Sequence, residues 1–144
     1  MHTTKSLLIL TVLLGAVLFA QNGSKHNKEK YTGKTVVFFG PSQAEYDKLK
    51  RDDSSGIDEV LSDFQFYAGK IQPYLKTLKI QFVMTSAETI ELKYSGQLLE
   101  FVRLKSGYDV GVILSDGVQK PKISFGVKTD DDLKADISGY FHRK

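Results

Sequence analysis

Apolar and polar positions change their period several times along the chain, and each change marks an element. Leu7 to Ala20 is apolar apart from Thr11 and Gly15. Residues 21–30, QNGSKHNKEK, then hold no apolar side chain. Thr35 to Phe39, TVVFF, is a continuous β-branched and aromatic run ended by Gly40-Pro41-Ser42. This combination predicts a strand buried on both faces, inside a mixed sheet. Ser42-Gln43-Ala44-Glu45 has the spacing of a capping box and opens a short helix through Leu49. A polar loop follows over Asp52–Gly56.

From Ile57 the spacing becomes helical. Ile57, Val60, Leu61, Phe64, Tyr67, Ile71, Leu75 and Leu78 recur at steps of three and four, one stripe of an amphipathic helix. Asp58 and Glu59 suit its start, and Lys76 and Lys79 its end. Pro73 lies within the stripe and predicts a kink or two helices end to end. Ile80–Met84 reads as the next strand. Over 89–104, Ile90, Leu92 and Tyr94 alternate with polar residues before Ser95-Gly96, which predicts a β-hairpin; a helix over Ser86–Leu92 is the competing reading. Asp109–Leu114 and Lys122–Gly126 form an antiparallel pair around Ser115-Asp116-Gly117. Thr129 caps a final helix, Asp130–Phe141, with three aspartates in its first turn.

Composition narrows the class. The N-terminal run follows Lys5 and is too short for a membrane span, so residues 1–20 read as a signal peptide cleaved near Ala20. The expected organisation is signal peptide 1–20, polar leader 21–33 and one domain over 34–144, secreted or periplasmic, with no stable membrane span after signal removal. Asn22-Gly23-Ser24 matches a glycosylation acceptor, relevant only in a eukaryotic host. Taking Lys5 from the 20 basic residues leaves 19 against 17 acidic ones, a net +2 with mixed signs. No basic stripe for nucleic acid emerges. The chain has no cysteine, which excludes disulfides, thiol redox chemistry and cysteine–zinc sites. Of its three histidines, His2, His26 and His142, one lies in the signal, one in the leader and one near the end. No cofactor motif is present.

The order strand, helix, strand, hairpin, strand, strand, helix resembles the thioredoxin-like fold. The resemblance spans residues 34–141 and is clearest in GYDVGVILSDGVQKPKISFGVKTDDDLKADISGYF, which follows that family's closing ββα unit. Pro73 in the long helix is similar to its kinked helix. The resemblance implies an α/β class with a mixed sheet, a three-layer sandwich and an extra β-hairpin. It also implies a degenerate member. The family's Cys-x-x-Cys pair has no counterpart here, and Tyr108-Asp109 stands where its cis-proline would fall.

The candidate site is therefore Gly40, Pro41, Ser42 and Gln43, with Tyr108 and Asp109. The first four follow a buried strand and open a helix, where open α/β folds place ligands and where backbone donors can hold an anion. Ser42 has no partner in sequence to activate it as a nucleophile. Asp130–Asp132 lack the alternating ligands of a calcium loop, and Asp52, Asp53, Asp58 and Glu59 read as a solvated surface. Phe66 and Tyr74 fall off the main apolar stripe and can anchor a partner or form a second packing layer. The expectation is an exported, non-catalytic module that recognises a protein or peptide. The alternative is an enzyme of non-thiol type with its site near Ser42.

Overall fold

The computed structural model describes residues 28–52, 56–103 and 110–142. The signal reading of residues 1–20, Asn22, His2, His26, Asp53, Tyr108 and Asp109 lie outside the described residues.

The run TVVFF forms β2 (Thr35–Phe39), every residue buried. Its side chains alternate between two cores. Val36 and Phe38 enter one, and Val37 and Phe39 enter the other. β2 lies between β3 (Gln81–Thr85), parallel to it, and β6 (Gly111–Ser115), antiparallel to it. β7 (Lys122–Phe125) pairs antiparallel with β6, giving a four-stranded sheet in the order β3-β2-β6-β7. The interior, two-sided position expected from the continuous apolar run is the one observed.

Helices cover one face of this sheet. α1 (Gln43–Asp52) runs one turn beyond Leu49, and α2 (Gly56–Thr77) follows. From α2, Ile57, Leu61, Phe64, Ala68, Ile71 and Leu75 are buried. Leu133, Ile137 and Tyr140 of α3 (Asp130–Phe141) join the same core. α2 is continuous through Pro73, so two separate helices do not form. Pro73 is exposed, where water can reach the carbonyl that its missing N–H leaves free. α2 ends in a Schellman arrangement: Ile80 N donates to Leu75 O and Lys79 N to Lys76 O, with Lys79 at φ 57°. At α3, Thr129 Oγ1 accepts from Asp132 N at 3.3 Å, the expected cap.

The other face is covered by a second sheet, β1-β4-β5, rather than by helices. β4 (Thr89–Tyr94) and β5 (Gln97–Val102) form the expected hairpin. Ser95 and Gly96 both have positive φ, 47° and 76°, the signature of a two-residue type I′ turn. Ile90 and Leu92, with Leu99 and Phe101, meet Val37, Phe39 and Ile113 in the second core. The result is mixed α and β in three layers: helices, four-stranded sheet, three-stranded sheet.

One boundary needs correction. Residues 28–31 belong to the leader on composition, yet they form β1 (Lys28–Tyr31), parallel to β4. The strand is held by backbone pairing, and its apolar contribution to the core is Tyr31 alone. Lys28 Nζ reaches Glu91 at 2.6 Å and Glu100 at 3.1 Å. Glu91 and Glu100 are directly opposed across β4 and β5, so this ammonium offsets a like-charge pair.

Candidate functional site

The parallel strands β2 and β3 end side by side, and the chain leaves β2 through Gly40 and Pro41. Both are buried, and Gly40 N extends the pairing by donating to Thr85 O at 3.1 Å. Ser42 and Glu45 then form the full capping box. Glu45 N donates to Ser42 Oγ at 3.2 Å, and Ser42 N donates to Glu45 Oε2 at 3.3 Å. Gln43 reaches Asp47 on the same helix at 2.9 Å. Gly40, Pro41, Ser42 and Gln43 are thus brought together as one strand-to-helix turn.

The residue that organises this turn comes from the other sheet. Arg103, immediately after β5, is 2% exposed. Its guanidinium grips Glu45 with two bonds, 2.7 Å to Oε2 and 2.9 Å to Oε1, the bidentate geometry that arginine favours. The same group donates to Ser86 O at 2.9 Å and to Ala87 O at 3.3 Å. Arg103 therefore joins the cap of α1, the exit of β3 and the second sheet. Beside it, Ser86 Oγ is a buried hydroxyl without a hydrogen-bond partner among the described residues.

Sequence reasoning named the capping glutamate and missed the arginine. A signal existed: Leu99, Phe101 and Arg103 fall at every second position, so Arg103 continues the inward parity of β5. A cation on a buried parity requires a carboxylate partner.

Chemically, the turn is closed. The Ser42 hydroxyl accepts a helix N–H, and Glu45 is engaged by Ser42 N and Arg103. The carboxylate beside Ser42 is that of Glu45, and the Arg103 guanidinium and the Ser42 N–H already hold it. His142, the C-cap of α3, pairs with Ser138 one turn earlier at 3.3 Å on an exposed face. Of the acidic residues around 52–59, Asp58 is engaged by side chains of α1. Hydrogen bonds from Tyr46 and then Lys50 hold the Asp58 carboxyl below its ordinary value, tying α1 to the first turn of α2.

Apolar side chains surround the same end of the sheets. Phe39, Gly111 and Phe125 lie in register across three strands. Phe39 packs on Phe101 at 4.9 Å and on Phe125 at 5.8 Å. Phe39 is fully buried, but Phe125 is 57% exposed and Val102 59% exposed. On α2, Phe66 is also exposed, with Lys70 Nζ 5.0 Å above its ring. Tyr74, the other off-stripe aromatic, carries Lys134 of α3 over its ring at 5.7 Å.

No protein-family model matches the chain, and neither curated proteins nor solved structures give a match. Among the described residues, no helix is long and apolar enough to cross a membrane.

Proposed function

We propose that the chain is an exported, non-catalytic binding module on a thioredoxin-like scaffold, recognising a protein or peptide at the strand ends without redox chemistry. The strand order β3-β2-β6-β7, with one parallel and two antiparallel steps, supports the scaffold. So does the succession of a βαβ unit and a ββα unit. The absence of cysteine removes thiol exchange.

The observation that carries the binding reading is the engagement of Ser42 and Glu45 by the helix cap and by Arg103. A hydroxyl used this way, with its neighbouring carboxylate locked to an arginine, is poorly placed to be a nucleophile. What this end of the molecule does present is apolar surface, with Phe125 and Val102 exposed beside a braced turn. Exposed aromatics on a preorganised surface serve partner recognition.

The test is selection of peptides from a displayed random library, followed by affinity measurement. Phe125→Ala is expected to weaken a selected peptide by about tenfold, the scale of a central interface aromatic. Ser42→Ala is expected to leave binding within about twofold. Loss of a measured turnover in Ser42→Ala would refute the non-catalytic reading. For export, mass spectrometry of secreted material is expected to show Gln21 at the N-terminus, and Met1 retained would count against it.

A further inference from the structure

We propose that the groove between the β6–β7 loop and α3 is a binding site for a carboxylate carried on a short aliphatic chain. It lies at the opposite end of the sheet from the Gly40–Gln43 turn, because Ser115 at the end of β6 pairs with Thr35 at the start of β2. Its volume is about 580 Å³, within the range of small-ligand sites.

The walls are built before any ligand arrives. Asp116 Oδ1 accepts from the backbone N–H groups of Val118 and Gln119, both at 2.8 Å, and Oδ2 accepts from Gln119 Nε2 at 2.7 Å. The same Gln119 amide donates to Tyr140 O at 2.9 Å, and the Tyr140 hydroxyl reaches the carbonyls of Gln119 and Lys120 at 3.3 Å. These bonds fix the loop to the end of α3, so little ordering remains for binding to cost. The facing wall is small. Ala135 and Gly139 lie one helical turn apart and line the groove, and a Cβ at Gly139 meets nothing within 4 Å.

Charge sets the ligand class. Asp136 is held from both sides, by Lys122 at 3.0 Å and by Lys128 at 2.5 Å. Lys120 forms no ion pair among the described residues. Lys120, Lys122 and Lys128 stand against two carboxylates at the groove and its rim, Asp136 and the loop's own Asp116, which leaves an excess of one positive charge. Lys122 can turn toward a ligand while Lys128 keeps Asp136 paired. A carboxylate between Lys120 and Lys122 then repeats the lysine–carboxylate–lysine arrangement that Asp136 already makes. A phosphate fits less well, because its second charge would stand near Asp136. Pro121, Ala135 and Gly139 offer the aliphatic chain an apolar seat.

The experiment uses the full chain, ¹⁵N-labelled, titrated with glutarate, with a blocked Gly-Glu-Gly peptide and with its Gly-Gln-Gly counterpart. Saturable shifts are expected at the amides of Lys122, Ala135 and Gly139, with a dissociation constant on the order of millimolar. Lys120→Gln is expected to weaken binding about fivefold, the upper scale for an exposed charge pair. Gly139→Leu is expected to abolish it by filling the groove, while favouring the helix. Tighter binding of glutarate assigns a free acid, and tighter binding of the glutamyl peptide assigns an acidic segment; either supports the site. Absence of saturable shifts, equal shifts from the glutamine peptide, or binding unchanged in both variants overturns it. None of these outcomes depends on the strand-end surface, so failure here leaves the peptide-binding reading standing.

Discussion

Glu45→Gln provides the sharpest test of the buried clamp. The substitution keeps the volume and one acceptor but removes the carboxylate that the guanidinium grips. Arg103 has a side chain 1% exposed, and Glu45 one 23% exposed. Breaking a buried ion pair by removing one partner costs about 3–5 kcal/mol, since a buried charge is left uncompensated. Water has some access on the Glu45 side, so the lower end, about 3 kcal/mol, is expected here. Arg103→Met removes the charge itself but leaves the carbonyls of Ser86 and Ala87 without a donor they now have. Each buried acceptor so orphaned costs about 1–3 kcal/mol. The double variant should be less unstable than the two losses added, with a coupling of about 2 kcal/mol for groups in direct contact.

Urea unfolding followed by far-ultraviolet circular dichroism is the suitable assay, because guanidinium chloride would screen the pair. With a slope of about 2 kcal/mol/M for a domain of this size, Glu45→Gln should lower the midpoint by about 1.5 M without changing the slope. A midpoint shift below about 0.5 M, or a coupling near zero, would show that water replaces the carboxylate at no cost. The clamp would then not be what holds the turn.

Two further outcomes follow from the same geometry. Gly111→Ala places a Cβ 2.3 Å from both the Phe39 ring and the Ser124 carbonyl. Overpacking typically costs about 1–3 kcal/mol, and a rigid backbone oxygen puts this site at the upper end, so a change in thermal midpoint of less than about 2 °C would refute the close approach. Tyr140, raised from 10.0 to about 12 by burial and then by the charge of Asp116, is a group whose folded value exceeds its unfolded one. Its contribution is fully present below pH 10 and is lost as pH rises toward 12. Tyr140→Phe should flatten the stability profile in that window, and an unchanged slope there would show that the phenol is not protected.

Local patterning was enough to place most elements. The continuous burial of TVVFF, the stripe of α2, the Ser95-Gly96 turn and the Thr129 cap each depend on neighbours in sequence, so their physics is legible there. β1 was not legible, because a strand held by backbone bonds and an ammonium between two glutamates leaves no apolar alternation. The third layer was likewise open: a hairpin can be read from its turn, but its stacking on Val37, Phe39 and Ile113 is a tertiary choice.

The candidate turn shows the same limit more sharply. Ser42 and Glu45 are three residues apart, so the box that joins them could be read directly. Arg103 stands 58 residues beyond Glu45, and nothing local connects the two. Yet the arginine changes what the turn is. Without it, Gly40–Gln43 is an open helix start of the sort that receives anions. With it, the chain's own glutamate is fixed against that helix start and bound to an internal cation. A resident carboxylate held this way leaves little electrostatic reason for a second anion to bind. At the other end of the sheet, Lys120 lines a groove whose Asp136 already has two cations. Exposed apolar surface at one end and unpaired positive charge at the other are therefore different kinds of offer, and the two proposed sites should select chemically different ligands.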